Sequence, residues 1–428
     1  MRPISAWGRL SAEWHRTIPL QSPSKIPEIL LGREAMGLPH GMGRSYGDVC
    51  LNPGGDLWLT TALDHFRSFD EEDGRLWVEA GALLKEVQQS LIPRGWTLPV
   101  TPGTQMATIG GAIANDVHGK NHHLQGSFGD HVLKIQLART NGDLLTLSPQ
   151  ENLGLFRATL GGLGLTGLIV AAEIQLKRIA SPWLEAETLP FQGLESFFHF
   201  SDASEATWEH TVSWIDCLSG TKTRGLFMRA NPAPSGAIGA EPKDRKRKMP
   251  VVPPFSLVNA LTLRPFNAAY YRLGQWKKRR SVVHYAPFFY PLDNLLEWNR
   301  MYGPKGFYQY QSVVPSEVGL DATQAMLKAI QQSGEGSFLA VLKTFGHRKA
   351  PGLLSFPRPG VTLALDFPNR GERTHRLFER LDSIVREARG ALYPAKDARM
   401  PKDLFEAGYP DLQDFSTYRD PGISSAFS

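Results

Sequence analysis

Two stretches of this chain combine glycine with polar side chains in a way that could hold an anion. Residues 40–48 read HGMGRSYGD, with Gly41, Gly43 and Gly47 set among His40, Arg44, Ser45 and Tyr46. Glycine lets a backbone come close to a ligand because no Cβ holds the two apart. Successive peptide N–H groups in such a loop make a concavity that suits a phosphate, and Arg44 adds a charge that does not titrate. Residues 102–132, PGTQMATIGGAIANDVHGKNHHLQGSFGDHV, are also rich in glycine, carry four histidines and have few large side chains. A wall this thin lets backbone amides face a flat, polar ligand.

Each pattern has competing readings. GLGLTG at 162–167 matches G-x-G-x-x-G, which marks a dinucleotide site only between a strand and a following helix. Here LGLFRATLG before it reads as helix and LIVAAEIQLKRI after it as strand, so a tight helix-to-strand turn is expected, one whose backbone could still touch a cofactor. HGMGRSYGD lacks the GK[ST] ending of a nucleotide-hydrolysing loop, and by itself a plain surface turn stays open for it. His118, His122 and His123 are spaced H-x-x-x-H-H, but Gly119 interrupts any helix and neither HExxH nor a supporting cysteine occurs, so no metal site is expected. His118 alone reads equally as a hydrogen-bonding loop residue or as a base, since its pKa suits neutral pH.

Short elements must position these residues. Runs such as LWLTTALDHF and HVLKIQLARTNGDLLTLSP read as strands, with a two-residue hairpin turn expected at Asn141-Gly142. GALLKEVQQSLIPRG has apolar residues at 83, 84, 87, 91 and 92, the spacing of a helix stopped by Pro93 and Gly95. YQYQSVV, SFLAVLKTF and VTLALDF are strand-like, and in the first of them Gln309 and Gln311 fall on one face. HRLFERLDSIVREARG reads as an amphipathic helix ended by Gly390. Segment 241–281 is basic and proline-rich, then apolar and aromatic, then basic again, and reads as a loop or lid.

At 428 residues the chain exceeds one ordinary core, so two or three domains are expected. A net charge of +5, not gathered into one stripe, suits an anionic ligand or a membrane surface and gives no nucleic-acid signature. There is no apolar run of about 18 residues for a membrane span, and the start, MRPISAWGRLSAEWHR, lacks a secretory pattern. Only Cys50 and Cys217 occur, far apart, which points to the reducing cytoplasm.

Taken together, HGMGRSYGD, PGTQMATIGGAIANDVHGKNHH, GSFGDHV, LFRATLGGLGLTG, FYPLDNLLEWNRMYGPKGFYQYQSVVP, LDFP and LYPAKDARMP resemble the FAD-dependent oxidases of the vanillyl-alcohol-oxidase/PCMH fold. The nearest branch is that of the decaprenylphosphoryl-ribose 2′-oxidases, with sugar-lactone and alditol oxidases as wider relatives. The resemblance runs from about residue 6 to the C-terminus and thins through 181–280. It implies an α+β, two-domain fold. Residues 1–178 and 391–428 would bind FAD, and 179–390 would form an antiparallel-sheet substrate domain with a mobile lid at 241–281.

The same resemblance assigns residues. Gly41, Met42, Gly43, Arg44 and Ser45 would cradle the FAD diphosphate. Pro102, Gly103, Thr104, Gly110, Gly111, Ala112, Asn115 and His118 would form a second lining, and Gly162, Gly164, Thr166 and Gly167 a third, with Tyr393 against the flavin ring. Covalent-flavin relatives have a histidine just before the serine; Arg44 stands there, so non-covalent FAD is implied. The implied reaction is oxidation of a secondary hydroxyl of a sugar, with hydride passing to the flavin and the hydroxyl proton to a base. Lys396 of AKDAR would polarise the hydroxyl or the flavin N1 locus, although a lysine in a short loop otherwise reads as a solvated charge. His118 and Tyr46 would handle the proton. Gln309, Gln311, Lys343, Thr362, Ala364 and Lys396 would line the substrate pocket.

Thr362 and Ala364 replace an asparagine and a cysteine of the mycobacterial branch, which alters the pocket. The implied partners are a sugar or lipid-linked sugar phosphate and a short-chain reductase completing an epimerisation. The basic runs Lys243 to Lys248 and Lys277 to Arg280 flank an apolar stretch that suits peripheral contact with anionic lipid at the inner membrane face, or else a solvated loop.

Overall fold

The computed structural model describes every residue except 33, 34, 221, 240, 241, 243–245, 277, 278 and 397. Its fold is α+β, organised around three main sheets. A four-stranded sheet runs in the order Arg2–Ile4, Glu13–Pro19, Asp56–Leu59, Gly37–His40. A five-stranded antiparallel sheet runs Phe66–Asp70, Arg75–Glu79, Leu168–Gln175, Val132–Ala138, Leu144–Leu147. Helices Leu84–Leu91 and Ile109–Ala114 share a core with the five-stranded sheet.

An eight-stranded antiparallel sheet makes the third body, in the order Arg280–His284, Trp183–Gln192, Arg224–Pro232, His210–Asp216, Ala340–Thr344, Val361–Pro368, Phe307–Val314, Ala391–Leu392. Alternation along its strands separates two faces. Leu342, Leu363, Leu365 and Tyr310 bury against helices Leu194–Glu205, Gly319–Ser333 and Glu372–Glu387. The opposite face presents Lys343, Thr362, Ala364, Gln309 and Gln311 to a cavity. A further core mixes Leu20, Leu57 and Trp58 with Phe345, Tyr393, Tyr409 and Phe415, tying the tail to the first strands.

Several local expectations meet the structure directly. Helix Leu84–Leu91 stops as predicted, with a short 3-10 turn through Pro93 and Gly95 at φ 81°. GLGLTG joins helix Leu153–Thr159 to strand Leu168–Gln175, with Gly164 at φ 78°. The Asn141-Gly142 hairpin is corrected: Ala138 pairs Leu144, the Arg139 N–H donates to Asp143 O, and Gly142 at φ 91° donates to Arg139 O. That is a three-residue loop, because only Gly142 takes the left-handed conformation while Asp420 holds Thr140 by its N–H and hydroxyl.

The end of helix Glu372–Glu387 is also corrected. Arg389, at φ 55°, is the left-handed residue, and Gly390 is required for space, since a Cβ there would meet Val313 O at 2.4 Å. Within 241–281, residues Ala260–Trp276 form a helix rather than a loop, because Leu263, Asn267, Tyr271 and Gly274 recur at helical spacing and bury one stripe. Parts of both flanking basic runs lie outside the described residues. No helix is long and apolar enough to cross a membrane, among the described residues.

Candidate active site

One cavity of about 1410 Å³ lies between the cavity-facing side of the eight-stranded sheet and the glycine segments. The loop 41–47 has no regular structure, and among the described residues none of the N–H groups of Gly41, Met42, Gly43, Arg44 and Ser45 donates to a protein acceptor. Half-buried amides without partners are costly unless a ligand or water accepts from them. The loop is nevertheless held from behind: Trp7 N–H donates to Ser45 O at 2.8 Å, and Gly43 sits at φ 58°. Gly41 is needed for packing, since a Cβ there would meet Thr108 Oγ1 at 2.6 Å. The Arg44 guanidinium stacks 4.3 Å from the Trp7 ring centre.

Gly103 and Gly164 also line the cavity, and a Cβ built on either meets nothing within 4 Å. Their missing side chains therefore leave ligand space rather than protein contact. Free amides beside such space are what a diphosphate with a flat ring system requires, so the residues present fit an FAD. Pro102, Thr104, Gly110, Gly111, Asn115, His118, Gly167 and Tyr393 line the same cavity. Three expected contacts do not reach it, the first being Gly162, which packs against the preceding helix, where a Cβ would meet Ala158 O at 2.1 Å. Ala112 is buried in the core below, and the Thr166 hydroxyl pairs with Thr159 Oγ1 at 3.0 Å.

The tail closes the site. Tyr46 N–H donates to Ala395 O at 3.0 Å, which ties the glycine loop to the turn carrying Lys396. The Tyr393 hydroxyl donates to Asn115 O at 2.9 Å and its N–H to Gln311 O at 3.0 Å. Lys396 Nζ then lies 4.1 Å from the Tyr46 ring centre. Burial lowers Lys396 to about 8, against the opposing pull of Asp366. Burial raises Asp366 to about 7, opposed by Gln309, whose Nε2 donates to its Oδ1 at 2.6 Å.

On the neighbouring strands Lys343 pairs in register with Thr362, and Gln311 with Ala364. Lys343 Nζ donates to Gly119 O and, at 3.1 Å, to His118 Nδ1. An amine donating to Nδ1 leaves the ring proton on Nε2, which lies 3.0 Å from Gln311 Nε2, so this tautomer requires the Gln311 amide to turn its oxygen toward the ring. Burial, then Lys343, holds His118 well below its ordinary value, so the ring stays neutral. Burial holds the Tyr46 hydroxyl well above its own. Both members of the pair expected to handle the proton are therefore uncharged at rest, with His118 contacting Lys343 and Gln311 and Tyr46 keeping its proton.

Lys343 and Lys120 are each lowered by burial to about 7, and Lys120 adds repulsion to Lys343. Lys120 Nζ donates to Phe288 O and Phe289 O and faces the same cavity. Three amines kept part-neutral around one cavity would gain protons when an anion enters. His122 and His123 point elsewhere, to Phe345 O and Trp208 O. Sequence reasoning missed Lys120 and Asp366. Lys120 is the only cation between 102 and 132, and Asp366 continues the two-residue alternation from Thr362 and Ala364; both signals were available.

A family model described as an FAD binding domain matches residues 33–148. The chain is 35% identical to a decaprenylphosphoryl-beta-D-ribose oxidase of Mycolicibacterium smegmatis over 434 residues, covering 97% of this chain and 93% of that one. It is 30% identical to an uncharacterized protein of Streptomyces coelicolor, over 81% of this chain and 97% of the other. A putative D-arabinono-1,4-lactone oxidase of Neurospora crassa is 32% identical, but over only 32% of this chain and 24% of its own.

Proposed function

Since this chain belongs to the decaprenylphosphoryl-ribose oxidase family and is an FAD-dependent oxidoreductase acting on CH–OH groups, we propose that it oxidises the 2′ hydroxyl of a polyprenyl-phosphoryl pentose. This would be the first half of a 2′-epimerisation, with a short-chain reductase completing it. The observation that carries the reading is a single cavity in which the free amides of Gly41–Ser45 meet the buried amines of Lys396, Lys343 and Lys120. FAD supplies the hydride acceptor when bound.

The chain's own residues would act as follows. The amides of Gly41–Ser45 and the Arg44 charge bind the diphosphate without a covalent bond. Tyr393 and Asn115 set the ring plane. Lys396 Nζ donates to the reacting hydroxyl oxygen and stabilises negative charge as it develops there, while neutral His118 takes the hydroxyl proton as the hydride leaves. Gln309 and Gln311 orient neighbouring hydroxyls, with neutral His118 fixing Gln311. Lys343 and Lys120 take the phosphate and become fully protonated as it enters. Such a lipid-linked substrate suits a peripheral position on the cytoplasmic face of a membrane.

The test is anaerobic bleaching of the flavin by decaprenylphosphoryl ribose in detergent, set beside free pentoses and aldonolactones. Bleaching by the phospholipid-linked sugar is expected. Bleaching by lactones or free alditols alone, with turnover on oxygen, would replace this reading by a lactone or alditol oxidase. Absence of bleaching by any sugar would favour a non-catalytic flavin-binding subunit.

A further inference from the structure

Helix Ala260–Trp276 has an orientation that packing fixes. Leu263 and Tyr271 are buried, Asn267 Nδ2 donates to Asp216 Oδ1 at 2.9 Å, and a Cβ on Gly274 would meet Leu226 Cδ1 at 2.4 Å. The helix cannot roll to hide its other side. That outer side carries Leu261 at 88% exposure, Trp276 at 83% and Leu273 at 56%, beside Phe255 at 67% and Val251 at 62%. A helix apolar on both sides is normally buried on both, and an exposed apolar patch of this kind marks an interaction surface.

Charge says what kind of surface would cover it. From residue 246 to 292 the sequence has no Asp or Glu. Lys246, Arg247, Lys248, Arg264, Arg272, Arg279 and Arg280 are all exposed there. Three of them bridge acidic residues outside the segment, Lys248 to Glu297 and Arg279 and Arg280 to Glu187. Exposed Leu and Trp among cations, with no anion in the segment, form the pattern that enters the headgroup layer of an anionic bilayer. The same helix also walls the cavity through Leu263, Phe266 and Tyr270.

We propose that the outer face of this helix docks the protein on an anionic lipid surface, so that the cavity opens beside the membrane. Binding itself stands on the patch and its charge. Only its link to substrate delivery rests on the polyprenyl-phosphoryl reading above.

The experiment is sedimentation of the FAD-loaded protein with vesicles of phosphatidylglycerol and phosphatidylcholine in equal parts, and with phosphatidylcholine alone. Preferential pelleting with the anionic vesicles, weakened by salt, is expected. Leu261→Glu/Leu273→Glu/Trp276→Glu should lower partitioning by about tenfold or more, and Arg264→Glu/Arg272→Glu by a similar factor at low salt. Flavin absorbance and Tm report that each variant is folded; if the first is not, the arginine pair alone decides. Wild-type protein that ignores anionic vesicles, or variants that bind as well as it does, would overturn the proposal. So would a dimer in analytical ultracentrifugation that the triple variant dissociates, since the face would then cover a second copy. Flavin bleaching by the detergent-solubilised lipid sugar reports on the substrate reading separately and is expected to survive in both variants.

Discussion

Replacing Lys343 by methionine should stabilise the protein at about pH 6 and destabilise it at about pH 10. Lys343 is only 5% exposed, and burial lowers it from 10.5 to about 7. Between those values the unfolded chain binds a proton that the folded chain does not, so stability rises with pH across the window. At 1.36 kcal/mol per pH unit the penalty is about 5 kcal/mol near pH 6 and about 2 kcal/mol near pH 9. Methionine keeps the packing over the Phe345 ring and removes that penalty, but it deprives Gly119 O and His118 Nδ1 of their donor. Losing those bonds costs about 1–3 kcal/mol at every pH. The variant should therefore gain about 2–4 kcal/mol near pH 6, match wild type near pH 9 and fall below it near pH 10. Urea unfolding of the FAD-loaded proteins, followed by tryptophan fluorescence across this range, measures the crossing. A difference that stays flat with pH, or a variant already weaker at pH 6, would refute the argument that Lys343 is held part-neutral by burial.

The remaining predictions concern the cofactor and the reacting end. Gly103→Val should fold normally by circular dichroism yet retain several-fold less FAD, because its side chain would enter open cavity space; full FAD content would contradict the cradle. Acid precipitation should release FAD to the supernatant, and flavin left in the pellet would contradict its non-covalent retention beside Arg44. Wild-type oxidation should decline as pH rises through about 8, where the Lys396 ammonium is lost. Lys396→Met should cut the rate by about a hundredfold and remove that limb. Asp366→Asn should move the limb to lower pH, since the carboxylate holds Lys396 up; an unmoved limb would mean another group titrates there.

What could be read from the sequence was whatever a few neighbouring residues decide. Glycine spacing in HGMGRSYGD marked a loop for close approach, and the helix-then-strand order around GLGLTG pointed to a tight turn rather than a dinucleotide site. Two-residue alternation put Gln309 and Gln311 on one face. Each of these follows from local backbone freedom or side-chain period. Loop details such as Arg389 in place of Gly390 escaped, because a space requirement against Val313 O is set by another strand. Likewise Ala112 and Thr166 sit in glycine-rich segments but turn into the core.

The chemistry of the site was decided only by the fold. Lys343 and His118 are 225 residues apart, and nothing in either neighbourhood says that an amine will meet Nδ1. Lys396 in AKDAR looks like a solvated charge until Tyr46 and the sheet close over it. A pKa depends on how much water surrounds a group and which charges face it, and strands from different parts of the chain supply both. The sequence by itself determined which residue types were present and which turns they could make. Tertiary burial decided which of them are neutral, which face one another, and hence which can act.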